Sequence, residues 1–194
     1  MPSANAIYTI GHGNRSTEEL LDILERAGVR RLVDVRAHPG SRHNPHFSRD
    51  ALAASLSAAG LVYEWQGDAL GGRRRAHGPS RHPAWREASF RAYADYMDTP
   101  PFRGALEALE ADADRGPPLA VMCAETVWWR CHRRLIADAL VAHGRPVIHL
   151  LGPSTSAPHP LHPDARIDEQ RHVVYDRNTT TELFSGSTPG NDDV

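Results

Sequence analysis

The chain contains no lysine; all 22 of its basic residues are arginine. Arginine's planar fork suits bidentate contact with phosphate or carboxylate better than a lysine ammonium does. The missing lysine follows codon usage, so the informative feature is placement: between Arg36 and Arg91 arginines clearly outnumber acids. Over the whole chain the formal charge is only -2, which excludes bulk attraction to a polyanion. Cysteine is scarce too. Two cysteines cannot build a disulfide framework, and their small number fits a reducing cytoplasm, the expected location. No apolar run is long enough to span a bilayer. The first residues lack the basic-then-apolar pattern of a secretory leader, so no membrane partner is expected. A nicotinamide fingerprint is missing, and the lack of lysine excludes a P-loop.

What is present is a repeated pattern. Five short apolar runs each lead into a polar, chemically capable residue. Ile7-Tyr8-Thr9-Ile10 leads into Gly11-His12-Gly13-Asn14, Leu32-Val33 into Asp34-Val35-Arg36, and Leu61-Val62-Tyr63 into Glu64. Leu119-Ala120-Val121-Met122 leads into Cys123-Ala124-Glu125, and Val147-Ile148 into His149. As parallel strands of one sheet, the runs would gather these ends along the edge where open α/β sheets bind ligands.

Helices are expected between the runs. Ser16 and Glu19 stand in capping-box spacing before Leu20, Leu21, Ile23 and Leu24, with Gly28 as the stop. Ser48 can cap a helix running to about Ala59. Two further helices are expected, one from about Glu87 to Met97 and one beginning at Pro101 with Leu106 and Leu109 facing inward. Another runs from about Cys131 to His143. The long stretch Gly67–Ala84, with Gly71, Gly72 and the run Arg73–Arg75, reads as an irregular loop, functional or disordered. The resulting order, β-α-β-α-β-α-α-β-α-β, implies an α/β domain with a mainly parallel sheet flanked by helices. That domain covers residues 1–152. Residues 153–177 read as a partly ordered extension rich in proline, glycine, serine and threonine, and 178–194 as a disordered tail.

Chemistry concentrates in Cys123-Ala124-Glu125-Thr126-Val127-Trp128-Trp129-Arg130-Cys131-His132-Arg133-Arg134. A helix N-terminus here would attract anions and favour a nearby thiolate. Bulky Trp128 and Trp129 sit where the anion loop of thiolate phosphatases and sulfurtransferases would want small residues. Cys123, Cys131, His132, His12 and His149 are metal-capable types. The cysteines are eight positions apart with no second pair, so no cofactor is assigned and a divalent metal is left open. Gly11 and Gly13 allow a backbone to approach closely, and Asp34 and Arg36 fall on one face of a strand.

Taken in order, certain pieces resemble the DUF488 family, bacterial and archaeal proteins of unassigned function. They are Thr9-Ile10-Gly11-His12, Leu32-Val33-Asp34-Val35-Arg36 with Pro39 and Ser41-Arg42, Phe47, and Tyr63 with Leu70-Gly71-Gly72. Met122-Cys123-Ala124-Glu125, Cys131-His132-Arg133 and the strand ending in His149 complete the set. The resemblance spans roughly residues 7 to 150 and implies an α/β fold without supplying a reaction.

The residues themselves point to a hydrolase or transferase acting on a small anionic, nucleotide or nucleic-acid-derived substrate. Glu125 serves as general acid or base, Cys123 or Cys131 as nucleophile or ligand, and His12 and His132 as proton carriers. Asp34 orients a partner. Arg36, Arg42 and Arg133 clamp the anion, with Gly71, Gly72 and Cys131 beside it. Two alternatives stand next to this reading: a nucleic-acid-binding module using the arginine-rich loops, and a thiol redox or sulfur-transfer protein using Cys123 and Cys131. The residues do not determine the oligomeric state.

Overall fold

The computed structural model describes residues 6–40 and 44–177. Ser16 opens the first helix: its hydroxyl accepts from the Glu19 amide, and the Glu19 carboxylate accepts from the Ser16 amide. This reciprocal cap satisfies two amides that the first turn leaves unpaired. The helix, α1 (Thr17–Arg26), buries Leu20, Ile23 and Leu24, and Gly28 ends it in the left-handed region at φ 69°.

Around α1 run β1 (Ile7–Gly11) and β2 (Arg31–Asp34), followed by α2 (Arg49–Ala58) and β3 (Val62–Trp65). Then come a one-turn helix α3 (Gly67–Leu70), α4 (Ala88–Met97), α5 (Pro100–Arg115) and β4 (Leu119–Cys123). The body closes with α6 (Arg133–Ala142) and β5 (Val147–Gly152).

The sheet order is β3-β2-β4-β1-β5, all parallel, with one antiparallel edge strand, β6 (Thr155–Pro158), on β5. Strand alternation divides the sheet into two faces. Tyr8, Ile10, Leu32, Ala120 and Met122 pack against α1 and α2. Ile7, Val33, Val35, Leu119, Val121 and Cys123 pack against α4, α5 and α6. The connection leaving β2 turns toward β3, and the one leaving β4 turns the opposite way toward β5. β2 and β4 are neighbours, so the gap beyond their carboxyl ends is the point where the strand order reverses. That is where such sheets form a ligand crevice.

Several expectations change. Ser48 holds the N-cap position of α2 without a side-chain cap bond. The stretch Gly67–Ala84 contains α3. His149 lies inside β5 and is buried, so it does not close a strand at the crevice. Beyond Gly152 the chain forms β6 and then the hairpin β7 (Ala165–Ile167) and β8 (Val173–Tyr175), which places Tyr175 fully within the core. Residues 178–194, read from sequence as a tail, lie outside the described residues. Among the described residues no helix is long and apolar enough to cross a membrane.

Candidate active site

Cys123 ends β4, and alternation turns it toward α6 together with Leu119 and Val121. The chain then runs through a 3₁₀ turn (Trp128–Arg130) and returns at Cys131 and His132, which precede α6. His132 Nδ1 lies 3.8 Å from Cys123 Sγ and 3.6 Å from Cys131 Sγ, and all three atoms fall within 4.8 Å of one another. His132 Nε2 is 3.2 Å from the Val35 carbonyl. A carbonyl only accepts, so Nε2 carries a proton; Nδ1 faces the two sulfurs, where it accepts from a thiol and, once it has taken the Cys131 proton, donates to the thiolate.

The Arg133 amide approaches Cys131 Sγ at 3.5 Å. Burial pushes the Cys131 thiol up. Hydrogen bonds from Cys123 and His132 and the nearby charges of His132 and Arg133 outweigh this and hold it well below its ordinary value. Cys123 moves the other way. Its proton is committed to Cys131, and burial adds to the rise.

The cluster forms one wall of a cavity of about 310 Å³. Arg36, Ala37 and His38 line it from the β2 end, Gly72 and Arg73 from the loop after α3, and Ser89, Phe90 and Tyr93 from α4. Glu125 is on the rim and exposed. Arg73 and Arg130 also line the cavity; both are exposed and carry no ion-pair partner among the described residues. Gly72 abuts the His132 ring so closely that any Cβ there would collide with Nδ1.

A second hollow of about 330 Å³ adjoins the first. It shares Arg36, His38, Ala124 and Glu125 and adds His12, Gly13 and Asn14. Its buried charged groups are bound up with one another. Arg36 donates from Nε and Nη2 to the two Asp34 oxygens at 2.8 and 2.6 Å, and from Nη1 to the Phe47 carbonyl at 2.8 Å. The Tyr63 hydroxyl donates to Asp34 at 2.8 Å. His12 Nδ1 faces the Gly13 carbonyl at 2.9 Å, and its Nε2 accepts from Arg36 Nη1 at 3.2 Å. Burial, reinforced by the Arg36 charge, pushes His12 down to about 4, while the Gly13 contact partly opposes the shift. His12 is therefore a neutral link with both ring nitrogens engaged, and Arg36 is a tether between β2 and the Phe47 turn.

Arg133 is likewise committed. It is 1% exposed, and its Nη2 donates to the carbonyls of Glu125 and Thr126. Gly11 and Gly13 admit this loop, since a Cβ on either would collide with Glu125 or Thr126. The close approach read from the glycines is thus to the chain's own loop, to the Glu125 backbone at Gly11 and to the Thr126 side chain at Gly13.

Behind Arg133 runs a buried chain. Asp138 accepts from His159 Nε2 at 3.0 Å, and His159 Nδ1 accepts from His149 Nε2 at 2.9 Å. His149 Nδ1 accepts from the Thr9 hydroxyl at 2.6 Å. A carboxylate can only accept, and that fixes both tautomers. Trp128 stacks on His149 at 4.2 Å.

Of the residues singled out from sequence, Cys123, Cys131, His132, Gly72, Arg36 and Glu125 line the first cavity. His12 lines only the second. Gly71, Asp34 and Arg133 are buried behind these walls. Arg42 lies outside the described residues. Sequence reasoning missed Ser89, Phe90 and Tyr93 as cavity residues; they carry no pattern that would reveal them. It noted Arg73 and Arg130 without placing them in the clamp.

No curated protein and no solved structure matches the chain. Residues 16–140 match the family described as a domain of unknown function, DUF488. That match covers most of the ordered domain, and the chain belongs to the DUF488 family.

Proposed function

We propose that the chain is an enzyme of the thiol type, a hydrolase or transferase acting on a small anionic substrate held in the first cavity. The observation that carries this reading is the convergence of two thiols and an imidazole lone pair on the wall of a hollow at the sheet's reversal point. Unpaired Arg73 and Arg130 supply positive charge at its mouth. Cys131 is the nucleophile and His132 Nδ1 the base that takes its proton. The Cys131 sulfur bonds to the substrate's electrophilic centre as the bond to the leaving group breaks, and His132 passes the proton to that group. Water, deprotonated by His132, then cleaves the sulfur–substrate bond and restores the thiol; a second acceptor in place of water makes the enzyme a transferase. Asp34, Arg36 and Arg133 hold the surrounding loops.

The test uses two alkylating reagents of similar size on chelator-treated protein. Iodoacetate is an anion and iodoacetamide is neutral. Relative to the unfolded chain, folded Cys131 should favour iodoacetate, and sulfate should slow the reaction. Replacing Arg73 and Arg130 together by alanine should remove the preference. If neither cysteine is alkylated in the folded chain while both react after unfolding, the reading fails.

A second reading, thiol redox chemistry, draws on the nearness of the two sulfurs. Oxidised glutathione would then convert the pair to a disulfide, with two molecules of reduced glutathione as the other product. Intact-mass measurement showing only mixed disulfides would remove it.

A further inference from the structure

We propose that Cys123, Cys131 and His132 bind one thiophilic divalent cation of the zinc type, with the fourth coordination position opening on the cavity. The inference concerns the same cluster as the proposed reaction and rests on its being open to the cavity. With the cation bound, the two sulfurs are ligands and cannot act as nucleophiles, so the ion and the thiol chemistry are alternative states of one centre.

Four observations support the site. The first is spacing. With zinc–sulfur near 2.3 Å and zinc–nitrogen near 2.05 Å, a tetrahedral ion has a sulfur-to-nitrogen edge of about 3.6 Å. The edges here are 3.8 and 3.6 Å, and the two sulfurs lie within 4.8 Å of each other, so one ion can reach all three atoms.

The second is the histidine's orientation. A ligating imidazole normally donates its other N–H to a carbonyl or carboxylate, which fixes both tautomer and ring plane. The Val35 carbonyl does this for Nε2, leaving Nδ1 as the donor atom toward the sulfurs. The ring is also confined from the sides, by Tyr93 at 5.2 Å between ring centres and by Gly72 on its face.

The third is support for negative sulfur. The Arg133 amide points at Cys131 Sγ at 3.5 Å. Contacts of this kind stabilise ligating thiolates.

The fourth is the composition and count of the donors. Two sulfurs and one imidazole select soft or borderline cations over magnesium and calcium, which take oxygen. Among the described residues no fourth Cys, His, Asp or Glu joins the three. A closed structural zinc site has four protein ligands, whereas three with a cavity in front is the pattern of an open, exchangeable centre. The ligands come from the end of β4 and the start of α6, so the fold brings them together before any ion arrives.

The experiment uses the full, untagged chain after chelation and titrates it with cobalt(II). One equivalent should give the sulfur-to-cobalt charge-transfer band and the visible bands of a tetrahedral ion. Zinc should abolish both, and magnesium should leave them unchanged. Cys131→Ser, Cys123→Ser and His132→Ala should each weaken binding by about 100-fold or more, beyond the loss typical of an outer partner. In the unmodified chain, which needs no variant to fold, one equivalent of zinc should protect both thiols from iodoacetamide.

The absence of a charge-transfer band at one equivalent overturns the proposal, as does a band that survives Cys131→Ser unchanged. Rapid alkylation of Cys131 without any cobalt band defeats the ion and leaves the thiol enzyme standing. A cobalt band with inert thiols in the stripped protein does the reverse.

Discussion

On the α1–α2 side of the sheet's carboxyl edge, Asp34, Arg36, His12 and Tyr63 hold one another in a closed set of hydrogen bonds. Across β2 and β4, on the α6 side, Cys123, Cys131 and His132 converge with a sulfur and a nitrogen lone pair still available to an incoming group. Both sets border hollows of similar volume and share Arg36, His38, Ala124 and Glu125 between them. Reactive residue types alone therefore do not identify a reaction centre. A fully satisfied polar cluster fixes loops, whereas one with free donors or acceptors beside a cavity can meet a substrate.

The largest expected effect comes from breaking the closed side. Asp34→Ala leaves Arg36, which is 6% exposed, without its counter-ion. Removing one partner of a buried pair costs about 3–5 kcal/mol, measurable as a lower midpoint in urea unfolding. Acidification should act in the same direction. Burial, with lesser contributions from His159 and Arg133, pushes His149 down to about 3, and His12 sits at about 4. The unfolded chain takes up these protons at its ordinary histidine value near 6.5, while the folded chain resists them. The stability they contribute is full above about pH 6.5 and falls as the pH drops toward 4, on the order of 3 kcal/mol for each residue. Unfolding midpoints recorded across that range check the sign; a midpoint that rises on acidification contradicts it.

Next in size is Gly11→Ala, whose new methyl meets the Glu125 carbonyl and the Arg133 guanidinium. The expected loss is roughly 1–3 kcal/mol, together with slower alkylation of Cys131 because the 123–132 loop is displaced. The open side should behave oppositely. Cys131→Ser is nearly isosteric and should cost no more than about 2 kcal/mol at this buried position, yet it removes the reactive group. Smallest of all, Arg73→Ala on the exposed rim should leave stability within about 0.5 kcal/mol while weakening the preference for an anionic reagent.

Local patterns made much of the closed side legible in the sequence. The capping box at Ser16 and Glu19, the stop at Gly28 and the face shared by Asp34 and Arg36 all depend on neighbours within a few positions. Parallel strands could be read from apolar runs bounded by turn residues. What escaped depends on contacts distant in sequence. Thr9 meets His149 across 140 positions, and His159 links His149 to Asp138; no periodicity encodes such partners. β6 escaped because Thr155–Pro158 is a polar edge strand carrying a proline, which reads as a turn. At the open side, the eight positions between the cysteines hid their proximity, which arises only because the 3₁₀ turn folds Cys131 back onto the end of β4. Arg133 looked like an anion clamp because its side chain was unplaced; burial beside two backbone carbonyls gives it another task.

The measurement that tests the reaction centre most directly is site-resolved alkylation by iodoacetamide at neutral pH, on chelator-treated protein, folded and urea-unfolded. A thiol held as thiolate beside His132 and open to the cavity should react faster at Cys131 in the folded chain than in the unfolded one, by about tenfold. If folding instead protects Cys131, the cluster is core packing and not a reaction centre.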